Sequence, residues 1–283
     1  MNKLYVAMIT PFNEDNNVDY KSCKVIVDKL ISDGIDGIIV CGTTGESSTL
    51  VESEKIELLK FVIKEVNHRC EIYFGCGSNS TAKTLHTMKL SDRYNFDGYL
   101  IVTPYYNLPT QYGLYEHFAL LASYTDKPII LYNVPKRCGV SLKADTVIEL
   151  AHNFRNIIAL KQADHDLDMV KMILEHTENF SVYSGEDGYL LEGLNSGMKG
   201  IISVIAHIYT KELKKFLDDY EKGRDVSQQD AFFKMVSRLL FLETNPSCIK
   251  YVYAKMGLCL NQLRLPMTSL RLESEKQLDT FFK

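Results

Sequence analysis

The chain has 283 residues and a mass of 32.3 kDa, with 46% hydrophobic and 24% charged residues. These proportions are those of an ordinary globular protein with enough apolar side chain for one large core, and they exclude disordered and collagen-like chains. The 32 Lys and Arg residues against 36 Asp and Glu residues give a formal charge of −4, without any block of like charge. This balance argues against a nucleic-acid or anionic-membrane partner.

Hydropathy and cysteine usage predict a cytoplasmic protein. The longest uncharged stretch, residues 98–115, contains Pro104 and Pro109 and therefore does not predict a membrane-spanning helix. The first residues lead straight into a strand-like segment and show no apolar signal core. The seven cysteines are odd in number and form no CxxC pair, which predicts reduced, mostly buried thiols rather than a disulfide framework or a zinc site.

Eight short apolar runs, rich in β-branched and aromatic residues, predict the strands of the fold. Their apolar positions are consecutive rather than alternating, which is typical of parallel strands covered on both faces. The predicted strands span residues 4–9, 37–42, 71–77, 98–104, 128–135, 157–161, 180–185 and 200–207.

Amphipathic segments of helical period lie between these runs. Asp19 is predicted to cap the first helix, and Thr49 with Glu52 is predicted to form a capping box for the second, which continues to Val66. The later predicted helices span residues 81–93, 113–124, 143–152, 166–178, 189–196 and 210–222, followed by 227–242, 246–256 and 272–282.

This alternation predicts the α/β class, as a (β/α)8 TIM barrel with a C-terminal helical appendix. A doubly wound open sheet is less favoured because the first strand is not followed by a Gly-rich turn and no GxGxxG or Walker sequence occurs. The expected division places a barrel with the active site at residues 1–224 and a helical region at residues 225–283.

The active site of such a barrel lies at the C-terminal ends of its strands, and Lys161 ends an apolar run there. Burial disfavours the charged form of an amine, and a neutral amine is what Schiff-base chemistry requires. The alternative is a lysine whose stem lies on apolar surface while its head reaches solvent.

Hydroxyl residues follow three other predicted strands. Thr43, Tyr106 and Tyr132 could pass protons at one face, although each could equally be a packing residue. Thr44 lies in a Gly/Thr turn that could seat a small carboxylate or be an ordinary turn. Arg137 could bind a second carboxylate or be a surface residue.

Other polar residues near predicted strand ends are given structural interpretations. His207 is interpreted as a hydrogen-bonded histidine at the end of the eighth strand. Glu186 and Asp187 are interpreted as part of a solvated loop. No HxH or HExxH sequence occurs, and no metal site is predicted.

Several segments in fixed order resemble the pyruvate-dependent class I aldolases, the N-acetylneuraminate lyase family, and among these most closely the dihydrodipicolinate synthases. The likeness covers nearly the whole chain and is more specific than any one motif. The segments are GTTGES at 42–47, VTPYYN at 102–107, LYNVPKRCG at 131–139, Lys161, SGED at 184–187, GIISV at 200–204 and LRLPM at 263–267.

The resemblance implies catalytic roles for four residues. Lys161 would form a Schiff base with pyruvate, and Tyr132 would donate and accept the proton. Thr43 and Tyr106 would complete a proton relay, with Tyr106 entering the site of a neighbouring subunit. No cofactor or metal is implied beyond the covalent Schiff base itself.

The resemblance also implies the ligands and the partners. Thr44, Gly185 and Ile202 match positions around pyruvate, and Arg137 matches the residue that holds the carboxylate of L-aspartate 4-semialdehyde. The product would be 4-hydroxy-tetrahydrodipicolinate, in lysine and diaminopimelate biosynthesis. A homodimer or homotetramer is expected.

Two departures from the family pattern bear on the site. Gln162 stands where many relatives carry Glu, so one carboxylate is expected to be missing beside Lys161, with its effect on the lysine pKa left open. Relatives often show Asn-Pro-Ile-Pro where this chain has Asn-Pro-Ser-Cys at 245–248. A different packing of the appendix is therefore expected.

The positions that match the lysine-inhibition site of relatives also differ. Glu52 and Lys55 stand where a His is common, and Lys83 stands where a Glu is common. Cations there oppose the binding of lysine, so weak or absent inhibition is expected.

Two other functions remain open. A second pyruvate-dependent aldolase, such as an N-acetylneuraminate lyase or a 2-keto-3-deoxy sugar acid aldolase, would share the lysine and the pyruvate seat. A barrel that binds a keto acid without catalysis is a less favoured alternative.

Overall fold

The computed structural model describes residues 1–282 and contains a closed barrel of eight parallel strands in the order β1 to β8. This confirms the predicted (β/α)8 fold. The strands are β1 (Lys3–Ala7), β2 (Gly37–Val40), β3 (Glu71–Gly75), β4 (Gly98–Val102), β5 (Ile129–Asn133), β6 (Ile157–Gln162), β7 (Ser181–Ser184) and β8 (Gly200–Ser203).

Each predicted helical segment contains a helix with bounds within a few residues of those expected. The one added α-helix is α5, a single turn directly after β5. The helices are α1 (Tyr20–Ser32), α2 (Glu52–Val66), α3 (Thr81–Ser91), α4 (Gln111–Tyr124), α5 (Pro135–Cys138), α6 (Ala144–Asn153), α7 (Leu167–Glu175), α8 (Leu190–Asn195), α9 (Ala206–Glu221), α10 (Ser227–Leu240), α11 (Ser247–Lys255) and α12 (Leu272–Phe281).

The chain divides into two compact units. The first unit comprises residues 1–3 and 72–202, and the second comprises residues 4–71 and the chain from Ser203 onward. In the first unit, β4 to β8 pair in sequence, and most of their residues are buried. In the second unit, β1 pairs with β2, and this unit also holds the C-terminal helices. A domain boundary near residue 224 stays a prediction.

The start of α1 agrees with the sequence and the start of α2 does not. Asp19 accepts hydrogen bonds from the backbone N–H groups of Lys21 and Ser22, as a helix cap does. Helix α2 instead begins after Val51, whose N–H donates to Glu54. The predicted capping box at Thr49 is wrong. The Thr49 hydroxyl instead donates to the carbonyl oxygen of Glu46, at the start of the 3₁₀ turn that precedes α2.

The eighth strand is shorter than predicted. It ends at Ser203, whose hydroxyl oxygen accepts a hydrogen bond from the N–H of Ala206, the first residue of α9. This contact satisfies one of the free N–H groups at the helix start. His207 therefore lies in the first turn of α9 rather than at a strand end, which corrects the expectation.

Six of the seven cysteines are buried, which confirms the expected core thiols. Over residues 1–282, helices that are both long and apolar enough to cross a membrane are absent.

Candidate active site

Strands β5 and β6 place Tyr132 and Lys161 side by side. The two residues are register partners, and Lys161 is also the partner of Tyr183 on β7. Register partners on parallel strands project to the same face of the sheet. The Lys161 Nζ accordingly lies 4.4 Å from the centroid of the Tyr132 ring.

Lys161 is buried without a bonded partner. The residue is only 6% exposed, and within residues 1–282 its amine makes neither a hydrogen bond nor an ion pair. Burial lowers the pKa of Lys161 to about 8, while the Asp187 carboxylate acts to raise it and the Arg137 guanidinium to lower it. An amine with a lowered pKa has a much larger neutral fraction near neutral pH than an ordinary lysine. The arrangement thus supplies a nucleophilic amine near neutral pH.

Asp187 is the acidic group that acts most on Lys161, and the expectation of a solvated loop is wrong for it. The residue is 5% exposed and begins a 3₁₀ turn after β7. Its neighbour Glu186 is half-buried, with its carboxylate 2.5 Å from His165 Nε2 and 3.6 Å from Lys136 Nζ. The segment SGED at a strand end is the only sequence signal for this role, because the burial of a carboxylate depends on the packing of the turn.

Gly185 allows the backbone after β7 to approach Lys161 closely. A Cβ at this position would lie 2.7 Å from Ala163 Cβ and 3.0 Å from Lys161 Cε. The Gly185 N–H donates to the carbonyl oxygen of Gln162 at 2.7 Å. Any side chain at residue 185 would therefore push on the lysine stem or on Ala163, the residue after β6.

Arg137 and Ile202 belong to the same unit. Arg137 lies on α5, which begins at Pro135 and ends at Gly139 in the left-handed conformation. Its guanidinium is exposed and, in the part of the chain that the structure describes, has no hydrogen-bond or ion-pair partner. Ile202 is fully buried on β8. Sequence patterns did not predict α5, because one helical turn is too short to show a period.

Tyr106 differs from Lys161 and Tyr132 because its side chain is exposed to solvent. It lies on the loop after β4 in a left-handed conformation with φ 77°, and its N–H donates to the carbonyl oxygen of Cys138. The residue is 87% exposed, and its ring makes no aromatic contact or hydrogen bond within residues 1–282. Within residues 1–282, the Tyr106 side chain therefore has no bonded contact with Tyr132 or Lys161.

Thr43 and Thr44 lie in the second unit, in a turn held by hydrogen bonds. The N–H of Gly45 donates to the Gly42 carbonyl, and the N–H of Glu46 donates to the Thr43 carbonyl. Thr44 is buried and Thr43 is half-buried.

A buried ion pair anchors the C-terminal end of this turn. Glu46 is in the left-handed conformation, and its Oε1 lies 2.5 Å from Lys250 Nζ on α11. Its Oε2 accepts a hydrogen bond from the N–H of Arg264. Sequence reasoning missed this anchor because about 200 residues separate its members.

His207 has a structural role, as interpreted from the sequence. Its Nε2 accepts the N–H of Ile9 at 3.1 Å, so its Nδ1 carries the proton and donates to the Val204 carbonyl. Burial lowers the pKa of His207 to about 4, and the ring is neutral at pH 7.

Gln162 does not lie beside the Lys161 amine, contrary to expectation. Neighbouring residues on a strand point to opposite faces. Its carbonyl oxygen accepts from Asn133 Nδ2 at 3.0 Å, and its amide nitrogen donates to Asp164 at 2.5 Å. The Gln162 side chain therefore lies on the side of β6 opposite the Lys161 amine. Within residues 1–282, groups of three or more acidic, His or Cys side chains placed to hold a metal ion are absent.

Comparison with known proteins agrees with the resemblance. The family model described as the dihydrodipicolinate synthetase family matches residues 1–283. A 4-hydroxy-tetrahydrodipicolinate synthase of Bacillus subtilis is 39% identical over 267 residues, which cover 93% of this chain and 92% of that protein.

Solved structures agree as well. Dihydrodipicolinate synthase from Aquifex aeolicus matches with a TM-score of 0.96 and 36% identity, over 99% of this chain and 96% of that one. A chloride-inhibited dihydrodipicolinate synthase from Acinetobacter baumannii, complexed with pyruvate, matches with a TM-score of 0.92 and 36% identity, over 99% and 97% of the two chains. The barrel, the ordered strand-end motifs and these matches together show that the chain belongs to the dihydrodipicolinate synthetase family.

Proposed function

We propose that this protein is a lyase that condenses pyruvate with L-aspartate 4-semialdehyde to form 4-hydroxy-tetrahydrodipicolinate, in lysine and diaminopimelate biosynthesis. The observation that carries the proposal is the buried, unpaired Lys161 beside Tyr132. Membership of the family and the names of its relatives support the same activity.

The first chemical step uses the neutral amine of Lys161. Its nitrogen attacks the keto carbon of pyruvate, and loss of water from the carbinolamine gives a protonated imine. Removal of a methyl proton then gives an enamine, whose carbon attacks the aldehyde of the second substrate. The amino group of that substrate displaces Lys161 on ring closure, so the enzyme is regenerated and one water is released overall.

Tyr132 is the proposed proton donor and acceptor in these steps. Its ring lies against the Lys161 amine, so its hydroxyl group belongs to the same side of the sheet. A hydroxyl can pass a proton without holding charge, which suits both dehydration of the carbinolamine and protonation of the new alcohol. Thr43 and Tyr106 are proposed to complete the relay on the family resemblance and their positions after strands.

The proposed binding residues divide by substrate. Thr44, Gly185 and Ile202 would surround pyruvate, with Gly185 supported by its close approach to the lysine stem. Arg137 would bind the carboxylate of L-aspartate 4-semialdehyde, and its unpaired, exposed guanidinium supports this role. No cofactor is needed in this proposal because the protonated imine serves as the electron sink.

A homodimer or homotetramer in the cytoplasm is proposed for the assembly and location. The exposed Tyr106 ring supports an oligomer, because a neighbouring subunit could cover it and bring it to a site. The seven free thiols support a reducing compartment. Light scattering of the purified protein would test the assembly, and a monomer with full activity would contradict it.

Borohydride trapping tests the chemistry directly. The protein is incubated with pyruvate, reduced, digested and examined by mass spectrometry, and an adduct on Lys161 is expected. Absence of an adduct at any pyruvate concentration would overturn the mechanism. Tyr132→Phe is expected to lower turnover by about 10²–10⁴-fold with an unchanged fold, and unchanged turnover would refute the role of Tyr132.

The second substrate is tested by kinetics. Turnover with L-aspartate 4-semialdehyde is expected to exceed that with N-acetylneuraminate or 2-keto-3-deoxy sugar acids, and the reverse ranking would favour another aldolase. A barrel that binds a keto acid without catalysis would give no turnover with any of them. Lysine is proposed to inhibit weakly or not at all, and inhibition at submillimolar lysine would contradict this.

A further inference from the structure

Asn245 makes a specific contact with the turn that holds Thr44. It lies just before α11, in the second unit, and its amide nitrogen donates to the Thr44 hydroxyl oxygen at 2.9 Å. The asparagine is 6% exposed and Thr44 is buried as well. A hydrogen bond between two buried side chains 201 positions apart in sequence is therefore part of the tertiary structure of this turn.

The direction of this hydrogen bond leaves the Thr44 proton unused. A threonine hydroxyl has one proton to donate and two lone pairs to accept with. The Asn245 amide occupies one lone pair, and the hydroxyl makes no other hydrogen bond within residues 1–282. The proton of Thr44 is thus available to an acceptor that the protein itself does not supply.

Within residues 1–282, the side-chain amide of Asn245 has a hydrogen-bond partner for its nitrogen but none for its oxygen. Its carbonyl oxygen is buried and has no hydrogen-bond partner in the part of the chain that the structure describes. Leaving a buried polar atom without a partner costs about 1–3 kcal/mol. An amide that served packing alone would not favour this arrangement, whereas a binding site gains from a group oriented before the ligand arrives.

The backbone of the turn has separate supports. The Thr10 hydroxyl donates to the Gly45 carbonyl oxygen at 2.7 Å, and Glu46 is held by Lys250. These contacts fix the chain without Asn245. The distinct contribution of Asn245 is to the orientation of one hydroxyl group.

We infer that Asn245 is a positioning residue for pyruvate, acting through Thr44. Its amide holds the Thr44 hydroxyl so that the proton points to the carboxylate of pyruvate. The inference rests on the proposed function, in which Thr44 binds that carboxylate. It also gives a role to the Asn-Pro segment at 245–246, which the catalytic scheme does not otherwise use.

A double-mutant cycle on pyruvate binding tests the inference. Borohydride trapping of Lys161 is measured against pyruvate concentration in the wild type, Asn245→Ala, Thr44→Val and the double variant. Asn245→Ala and Thr44→Val are each expected to raise the half-saturating pyruvate concentration about tenfold, as loss of a single hydrogen bond does. In each variant the trapping rate at saturating pyruvate is expected to change by a smaller factor than the half-saturating concentration.

Coupling between the two residues separates positioning from a structural role. The double variant is expected to match Thr44→Val alone, because Asn245 acts only through the hydroxyl. In a Thr44→Ser background, which keeps the hydroxyl, Asn245→Ala should again have its full effect. Independent, multiplicative effects in the double variant would overturn the inference, as would an unchanged half-saturation in Asn245→Ala.

Controls separate the possible failures. Asn156→Ala removes an amide that donates to the carbonyl oxygens of Ala122 and Thr125, and it is expected to lower thermal stability without changing half-saturation. If Asn245→Ala does not fold, Asn245→Leu keeps the approximate shape and removes the donor without adding a charge, so the same cycle applies. Absence of an adduct in the wild type would refute the proposed function, whereas wild-type half-saturation in Asn245→Ala together with raised half-saturation in Thr44→Val would refute only the role of Asn245.

Discussion

Two buried lysines, one in each unit, show how the same side chain can serve chemistry or structure. Lys161 is 6% exposed and has no bonded partner among residues 1–282, and the Tyr132 ring lies 4.4 Å from its amine. Lys250 is fully buried, but its amine lies 2.5 Å from Glu46 and donates to the Gln262 carbonyl at 2.8 Å. Burial lowers the pKa of both, and only Lys250 has a bonded carboxylate that opposes the change.

The two lysines differ in the desolvation free energy that burial of the amine costs and in the role that the buried amine can take. An unpaired buried amine keeps its desolvation penalty and is therefore easily deprotonated, as a nucleophile requires. A paired one recovers much of that penalty, but it makes its partner dependent on it. Lys161, the proposed catalytic lysine, should therefore be dispensable for folding, and Lys250 should not.

Lys161→Met should have the largest effect on activity and the opposite effect on stability. Trapping with pyruvate should disappear and turnover should fall at least about 10³-fold, because no other group supplies the nucleophile. The free energy of unfolding at pH 7 should rise by about 1–3 kcal/mol, since a lysine pKa lowered from 10.5 to about 8 means that burial of the charge is unfavourable by that order. Chemical denaturation measures it, and a marked loss of stability would break the comparison.

Lys250→Met should lower the free energy of unfolding by about 3–5 kcal/mol, because it leaves the Glu46 carboxylate buried and unpaired. Denaturant titration of the two Lys→Met variants side by side gives the matched measurement. Adding Glu46→Gln to Lys250→Met should restore part of the loss. A cost below about 1 kcal/mol would show that the ion pair does not hold the turn.

His207 extends the comparison to another buried titratable group of the second unit. Its pKa is lowered to about 4 from 6.5, so the unfolded chain binds the proton more tightly. Stability is therefore complete above pH 6.5 and falls by up to about 3 kcal/mol as the pH decreases to 4. His207→Gln should flatten that part of a plot of unfolding free energy against pH. An unchanged slope would assign the acid sensitivity elsewhere, and His117, whose pKa burial also lowers to about 4, is the next candidate.

The smallest expected effect is a pair of opposite shifts in the pH dependence of trapping. The wild-type rate should rise with pH to a half-maximum near pH 8, where Lys161 loses its proton. Asp187→Asn removes a charge that raises the lysine pKa and should move the profile to lower pH. Arg137→Gln removes one that lowers it and should move the profile to higher pH. An unchanged profile in both variants would show that neither charge acts on Lys161, and the pyruvate assay avoids any effect on the second substrate.

Local patterns were sufficient for the elements and for the lysine. Eight runs of consecutive apolar residues predicted every strand, and the helical periods between them predicted the helices. Each pattern extends over several neighbouring residues. Lys161 stood out because it ends such a run. The family motifs added the expected roles of Tyr132 and Arg137, which the residues alone left open.

Long-range contacts were not predictable in the same way. The pairing of Glu46 with Lys250 and of Thr44 with Asn245 joins residues about 200 positions apart, and no local pattern marks either pair. The burial of Asp187 depends on the turn after β7 and reversed the interpretation of a solvated loop. The position of His207 differed for a local reason, since α9 begins at Ala206, earlier than its apolar period suggested.

The sequence by itself determined the barrel, its strand order along the chain and the residues at the strand ends, because hydrophobic period and motif order are properties of neighbours. Only the tertiary structure decided which of the two buried lysines, Lys161 and Lys250, has a carboxylate partner, since pairing depends on the carboxylates that the fold brings within reach. The fold placed Glu46 against Lys250 and left Lys161 with an aromatic ring instead. A low-dielectric interior turns that difference into a nucleophile at one site and an anchor at the other.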